Sequence, residues 1–347
     1  MTGVIQDTPF KTLKVRELHP TFAAEVEGVD WSNVTDEQLE EIKAAMAKYG
    51  VCVFRNTGLT DDAHVAFSQR LGDLDNVKRY LQGGRKLRYA HAELFDAGNL
   101  DDAGQLLDRD SPRAHAGRGN GLFHSDSSFN PRRASYSLLR AVAIPPPGTG
   151  GDTEFCDTRA AWDGLPAGTR AELLAGGYAG AHCLAQSRKL GSPAYFADVD
   201  PAEAPMALHR VAQLHEPSGR MVLYVGAHMH HLERRAPGAE ALGEEESAAL
   251  VEALNAHASR EEYRVSVGWE QPGDMVIWDN RCTLHRAAGG SFEGRFGRDM
   301  RRTTVHDDGA EAWGLNRVGE EMPGPQSWLK QSQPQPQTVA PTAVAAS

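Results

Sequence analysis

The tripeptide His124-Ser125-Asp126 and the distant His285 supply two imidazoles and one carboxylate. These donors suit a divalent iron. Three of them on one side of an octahedral ion leave three positions open to reactants, the 2-His-1-carboxylate arrangement of non-haem iron oxygenases. His124 and Asp126 are two residues apart, so a β-strand would present both on one face. The sequence thus predicts a metal centre on two strands, one carrying His124 and Asp126, the other His285. Among 14 histidines a lone His-x-Asp arises by chance, so its surroundings must carry the case.

Arg298 and Arg302 lie four residues apart and share a face if they sit on one strand. The planar fork of arginine meets a carboxylate bidentately, and two such groups facing inward would trap an anion. The alternative is a solvated basic strand balancing nearby acids. Gly150-Gly151 precedes Thr153 in a turn that would deliver one more hydroxyl donor to the same carboxylate, or form a plain hairpin. Other candidates carry weaker signals. His228, His230 and His231 follow an apolar strand, and His228 is the one expected to reach a pocket; adjacent residues diverge on a strand, so His230 and His231 are not read as a second metal site. Ser187-Arg188-Lys189 reads as a surface loop, Trp278 as packing beneath His285, and the four scattered cysteines (Cys52, Cys156, Cys183, Cys282) as structural thiols.

These groups must be held by a framework, and the pattern suggests which. Thr35 to Gln38 is a capping-box signature, followed by Leu39, Ile42, Ala45 and Met46 at helical spacing and a stop at Gly50. Val51–Phe54 reads as a buried strand, and Thr60-Asp61-Asp62 opens a helix running to Gly72. Residues 73 to 120 are polar and glycine-rich, predicting either a lid or strands hidden from pattern analysis. Strands are expected at 136–144, 221–225, 263–267 and 274–278, and helices at 158–177 and 244–259. Many short strands with inserted helices predict a mainly β fold, a double-sheet sandwich. Residues 1–330 are read as one domain, and the Gln-, Pro- and Ala-rich segment 331–347 as a disordered tail.

Composition narrows the function classes. A net charge of -11 argues against nucleic-acid or anionic-membrane binding. Four cysteines without a C-x-x-C pair suggest neither a disulfide framework nor structural zinc. No signal-like N-terminus and no run of apolar residues long enough to span a membrane is present, so a cytoplasmic protein is expected.

His124-Ser125-Asp126-Ser127-Ser128-Phe129, Gly150–Asp157 with Arg159-Ala160-Ala161-Trp162, and Trp278–Cys282 through His285-Arg286 together resemble the TauD/TfdA family, most nearly the 2,4-dichlorophenoxyacetate dioxygenase branch. The likeness extends to Ala24–Asp30, Gly50–Arg55 and Val225–His228, and covers roughly residues 12 to 308. It implies a double-stranded β-helix (jelly roll), with His124, Asp126 and His285 as Fe(II) ligands. It further implies that Thr153 and Arg298 bind the distal carboxylate of 2-oxoglutarate, and that Arg302 grips an acidic group of the substrate. Asn99 and His228 are further substrate-side candidates. The stretch from His285 to Arg298 is slightly longer than the family pattern, which leaves Arg295 as an alternative anchor. The expected activity is oxidation of a small carboxylate-bearing molecule by O2 and 2-oxoglutarate, by hydroxylation or by ether cleavage through hydroxylation. Desaturation or cyclisation of an amino acid is the alternative, and a non-catalytic jelly-roll binding protein the remote one. A homo-oligomer, in the simplest case a dimer, is expected.

Overall fold

The computed structural model describes residues 10–81 and 86–323. The expected tail at 331–347 lies outside the described residues.

Two β layers form the framework, as the jelly-roll reading requires. The larger sheet has the order β1 (Lys14–Glu17), β2 (Ala24–Glu27), β3 (Val51–Phe54), β13 (Met275–Asp279), β5 (Ala134–Ala143), β15 (Asp299–His306), β4 (Phe95–Asp96). Its pairings are antiparallel except β2 with β3. The opposing layer contains β12 (Arg264–Val267), β6 (Thr153–Asp157) and β14 (Thr283–Ala287), flanked by the trio β11 (Met229–Arg234), β7 (Tyr178–His182), β8 (Ala207–Arg210) and the hairpin β9 (Ala212–His215), β10 (Arg220–Leu223).

Alternation decides what lies between the layers. Leu139 and Ala141 of β5, Val276 and Trp278 of β13 and Met300 of β15 point inward onto Phe155 and Val267 of the opposing layer. Their neighbours Leu138, Met275, Ile277 and Val305 point outward, where α1 (Asp36–Tyr49) and α2 (Asp61–Gln69) cover them. Both faces of the central strands are therefore buried, which explains why β3 and β13 read as unbroken apolar runs. The helix α1 is capped as predicted: the Thr35 hydroxyl accepts from Gln38 N, and Gly50 closes it at φ 70. The reciprocal bond of a capping box is absent: Gln38 Nε2 donates to Gly28 O, and Gln38 Oε1 accepts no hydrogen bond from Thr35 N.

Three expectations need correction. The helix from Asp61 ends at Gln69, short of Gly72. The segment 158–177 is two helices, α4 (Thr158–Gly164) and α5 (Ala167–Gly176), because Leu165, preceding Pro166, is forced into extended backbone at ψ 145. Ser187-Arg188-Lys189 is no surface loop. It lies in α6 (Leu184–Gly191), which follows the short helix α3 (Pro112–Gly117) in chain order, and Ser187 and Arg188 are buried. The remaining helix, α7 (Glu244–Ala258), lies against β11 and helps cover the outside of the second layer. No described helix is long and apolar enough to cross a membrane.

The described residues between 73 and 120 are mostly irregular and are fastened to β15. Asp75 N donates to Thr304 O, β4 pairs with β15 through Phe95 opposite Arg302, and Ala97 N donates to Met300 O. The segment thereby forms one wall of a cavity of about 1960 Å³ that opens beside His124, Asp126, Arg298 and Arg302.

Candidate active site

His124 is not on a regular strand, contrary to the expectation. It forms a single antiparallel bridge with His285 of β14: His124 N donates to His285 O at 3.0 Å, and His285 N to His124 O at 2.9 Å. The chain then turns at once, with Ser127 in the left-handed region at φ 57 and Asn130 N bonded to Ser127 O. The turn brings Asp126 back toward both imidazoles, with His124 Nε2 3.8 Å from Oδ1 and His285 Nε2 3.6 Å from Oδ2. All three groups are buried, with ligand atoms mutually within 4.8 Å.

The charge states suit a cation. His124 Nδ1 lies 2.7 Å from Leu122 O, so it carries the proton and leaves the Nε2 lone pair facing Asp126. Burial holds both His124 and His285 below their usual pKa, keeping them neutral donors. Burial opposes the charge of Asp126, yet Arg302 above all, with His285, His124 and the Ser137 hydroxyl, keeps its carboxyl well below the ordinary range. Two neutral imidazole nitrogens and an ionised carboxylate, converging at the edge of an open cavity, fit a divalent iron.

Supporting contacts lock the carboxylate. Ser137 Oγ donates to Asp126 Oδ2 at 2.7 Å, and Asn280 Nδ2 donates to Ser137 Oγ at 3.0 Å. Asn280 Oδ1 accepts from Asp126 N and from the Trp278 indole. Trp278 lies with its ring centroid 4.6 Å from that of His285, as expected. Ser137 carries no separate sequence signal; it is an inward-facing position of β5 that only the strand register identifies.

The two arginines face the cavity together but differ in their surroundings. Arg298 is buried, and burial pushes its guanidinium down to about 10. It donates to Gly151 O at 3.2 Å and approaches the Trp269 ring, with no carboxylate paired to it among the described residues. The Trp269 indole also donates to the hydroxyl of Thr153, 3.3 Å away, at the start of β6. Thr153 is buried, but Gly151 rather than Thr153 meets the cavity wall. Arg295, the alternative anchor, is exposed and donates to Ser291 O. Arg302 is engaged already: it donates to Asp126 Oδ1 at 2.6 Å and stacks on Phe95 at 4.7 Å.

His228 lines the cavity, with its ring centroid 5.3 Å from that of His124 and 4.9 Å from that of Phe129. His230 and His231 do not line it. A register shift in β11 brings their Nδ1 atoms within 2.9 Å of each other, so these neighbours do not diverge as a regular strand predicts. Asn99 lines the cavity too, but both ends of its amide are bound to backbone at 296–298. Arg188, read from sequence as exposed, also contributes to the cavity wall, where burial pushes its guanidinium down to about 10.

A second grouping of potential ligands, His215, Asp279 and Cys282, lies in the core. Its carboxylate is already engaged: Arg281 donates to both Asp279 oxygens, and His215 Nε2 is 3.0 Å from Oδ2. Burial opposes protonation of His215, but Cys282 and Asp279 raise it to about 9. A folded-state value above the unfolded 6.5 means that this stabilisation is complete below about pH 6.5 and is lost as pH rises through about 9, on the order of 3 kcal/mol. Urea unfolding between pH 6 and 10 should show that decline, and His215→Phe should flatten it. An equal slope in the variant would remove His215 as its source.

Comparison with known proteins agrees with this geometry. The family described as "Taurine catabolism dioxygenase TauD, TfdA family" matches residues 14–304. The alpha-ketoglutarate-dependent 2,4-dichlorophenoxyacetate dioxygenase of Cupriavidus pinatubonensis is 36% identical over 294 residues, covering 84% of this chain and 96% of that protein. A protein of the same description from a Burkholderia species is 33% identical over 316 residues, covering 90% and 98%. The crystal structure of AAD-2 with Mn(II) and N-oxalylglycine superposes with a TM-score of 0.76 at 33% identity, covering 85% of this chain and 98% of that one. The chain belongs to the TauD/TfdA family and is an Fe(II)- and 2-oxoglutarate-dependent dioxygenase with a jelly-roll core.

Proposed function

We propose that His124, Asp126 and His285 hold the iron, that Arg298, with Thr153 beside it, receives the distal carboxylate of 2-oxoglutarate, and that the prime substrate is a carboxylate-bearing aryl ether. The observation that carries this reading is Arg298, a buried guanidinium without a carboxylate partner among the described residues, in the same cavity as the His–Asp–His group. A charge in such a place is costly unless an anion joins it. When bound, the iron together with 2-oxoglutarate and O2 supplies an oxidant able to take hydrogen from a substrate C–H bond.

The chain itself supplies position. Arg298 fixes one end of the cosubstrate, so that the other end meets the metal in a single orientation. Arg302 holds the anionic handle of the substrate from its place between Asp126 and Phe95. Phe95 and Phe129 offer ring faces and edges to an aryl group, and Phe129 is fixed edge-on by Tyr80 and His228. Hydroxylation of the carbon attached to the ether oxygen leaves a hemiacetal, which collapses to a phenol and a carbonyl compound. The similarity to 2,4-dichlorophenoxyacetate dioxygenases supports this substrate class over an amino acid. The same reading makes the protein a cytoplasmic homodimer without nucleic-acid or membrane partners; four buried free cysteines support a reducing compartment.

The test is succinate release from 2-oxoglutarate with Fe(II), ascorbate and O2, against aryloxyalkanoic, sulfonic and amino acids. Aryloxyalkanoates are expected to stimulate release and yield the phenol. In Arg302→Ala the stimulation should vanish while slow substrate-independent release persists. Stimulation by amino acids alone, or by none of the panel, would sink the assignment.

A further inference from the structure

The side chain of Asn99 does not reach freely into the cavity. Its Oδ1 accepts from Arg298 N at 2.7 Å, and its Nδ2 donates to Phe296 O at 2.9 Å. Its backbone N–H donates to Arg298 O at 3.0 Å. Asn99 therefore binds the backbone two residues before the buried arginine and both backbone polar groups of the arginine itself. Its neighbours take part: Ala97 O accepts from Arg298 Nη1, Ala97 N donates to Met300 O, and a Cβ on Gly98 would lie 2.3 Å from Arg298 O. The backbone of 97–99 thus runs against that of 298–300 with no room for a side chain at Gly98.

This clamp sits where β15 has lost its own means of fixing the residue. Regular pairing of β15 with β5 begins at Met300, after a register shift between Asp299 and Met300. Arg298 precedes the strand, so no ladder bond from β5 holds its backbone. Asn99 supplies the missing acceptor, and its second hydrogen bond prevents the amide from rotating away.

We propose that Asn99 is a positioning residue for 2-oxoglutarate rather than a contact for the prime substrate. It sets the backbone of Arg298, and through it the direction of the guanidinium, from the wall segment that also supplies Phe95 beneath Arg302. The assignment rests on Arg298 being the cosubstrate anchor, as proposed above. A fork that must meet a carboxylate at two points loses much of its grip when its backbone is free to shift.

The experiment is calorimetric titration of the Mn(II)-loaded protein with N-oxalylglycine, a non-reacting analogue of 2-oxoglutarate, in Asn99→Ala and Asn99→Asp. Analogue affinity in Asn99→Ala should fall about tenfold, the scale of one net hydrogen bond lost from a preorganised group. Asn99→Asp keeps the shape, but it cannot donate to Phe296 O and brings a negative charge toward the anchor, so it should bind more weakly still. Mn(II) affinity, and the KM for an aryloxyalkanoate at saturating 2-oxoglutarate, should remain at parental values in both. Parental analogue affinity in either folded variant, or a loss confined to the KM for the prime substrate, would overturn the proposal. Arg298→Ala, run alongside, separates the two levels. If it too binds the analogue normally, the anchor itself is misassigned; if it alone loses binding, only the role of Asn99 falls.

Discussion

Asp126→Asn should abolish tight divalent-metal binding and bring substrate-dependent succinate release to background. With His124 and His285 neutral, Asp126 is the sole anion among the three donors. Its amide would leave Arg302, 2.6 Å from the present Oδ1, facing the metal without compensation. Loss of a group that merely supports a metal ligand costs about 10- to 100-fold in affinity. Ser137→Ala, which deletes only the 2.7 Å bond to Oδ2, is expected within that range, and Asp126→Asn well beyond it. Thermal unfolding with and without Mn(II) gives the readout. Metal at a hundred times its dissociation constant stabilises a native protein by about 2.7 kcal/mol, and that increment should be absent from the Asn variant. An Asn variant with the parental metal-dependent shift would remove Asp126 from the ligand set.

Arg298→Ala should weaken 2-oxoglutarate far more than it weakens metal. The guanidinium is buried, so the carboxylate that it receives must also leave water. Removing one partner of a buried charge pair costs about 2–5 kcal/mol, or about 30- to 5000-fold in affinity, much of it from stranding the other charge. Arg298→Lys should recover only part of this loss, because it restores the charge but not the two-point fork. Analogue titration on the Mn(II)-loaded protein measures both variants. Near-parental binding in Arg298→Ala would transfer the anchor elsewhere; the exposure of Arg295 makes it a poor substitute.

The parts legible in the sequence were those governed by local rules. The Thr35 and Gly50 ends of α1 and the apolar run of β3 depend on capping chemistry and period, and both stand as read. The residue types of the candidate site were legible as well, because iron chemistry restricts the donors to few kinds. Their placement was legible only in part. His124 and Asp126 come together through a one-residue bridge and a left-handed Ser127, a geometry that the two-residue spacing shares with an ordinary strand. Arg188 looked exposed because helix α6 is short, polar and without a side-chain cap; what buries it is tertiary packing. The segment 73–120 stayed opaque for a related reason. The structure of its described residues comes from bonds to β15, about two hundred residues away, rather than from their own periodicity. Asn99 is a candidate from sequence, but nothing local shows that its amide faces the backbone of Arg298.

The ion pair between Arg302 and Asp126 has a consequence for electroneutrality. With both imidazoles uncharged, these two fixed charges cancel, so the ligand cluster alone presents no net charge to an arriving ion. A dication adds two positive charges and Arg298 a third, and the 2-oxoglutarate dianion offsets two of these. The remaining single positive charge equals in size the charge of one carboxylate. Among these groups alone one positive charge remains, which a carboxylate on the substrate would offset. That leftover charge would favour an acid over a neutral molecule, in addition to the hold proposed for Arg302.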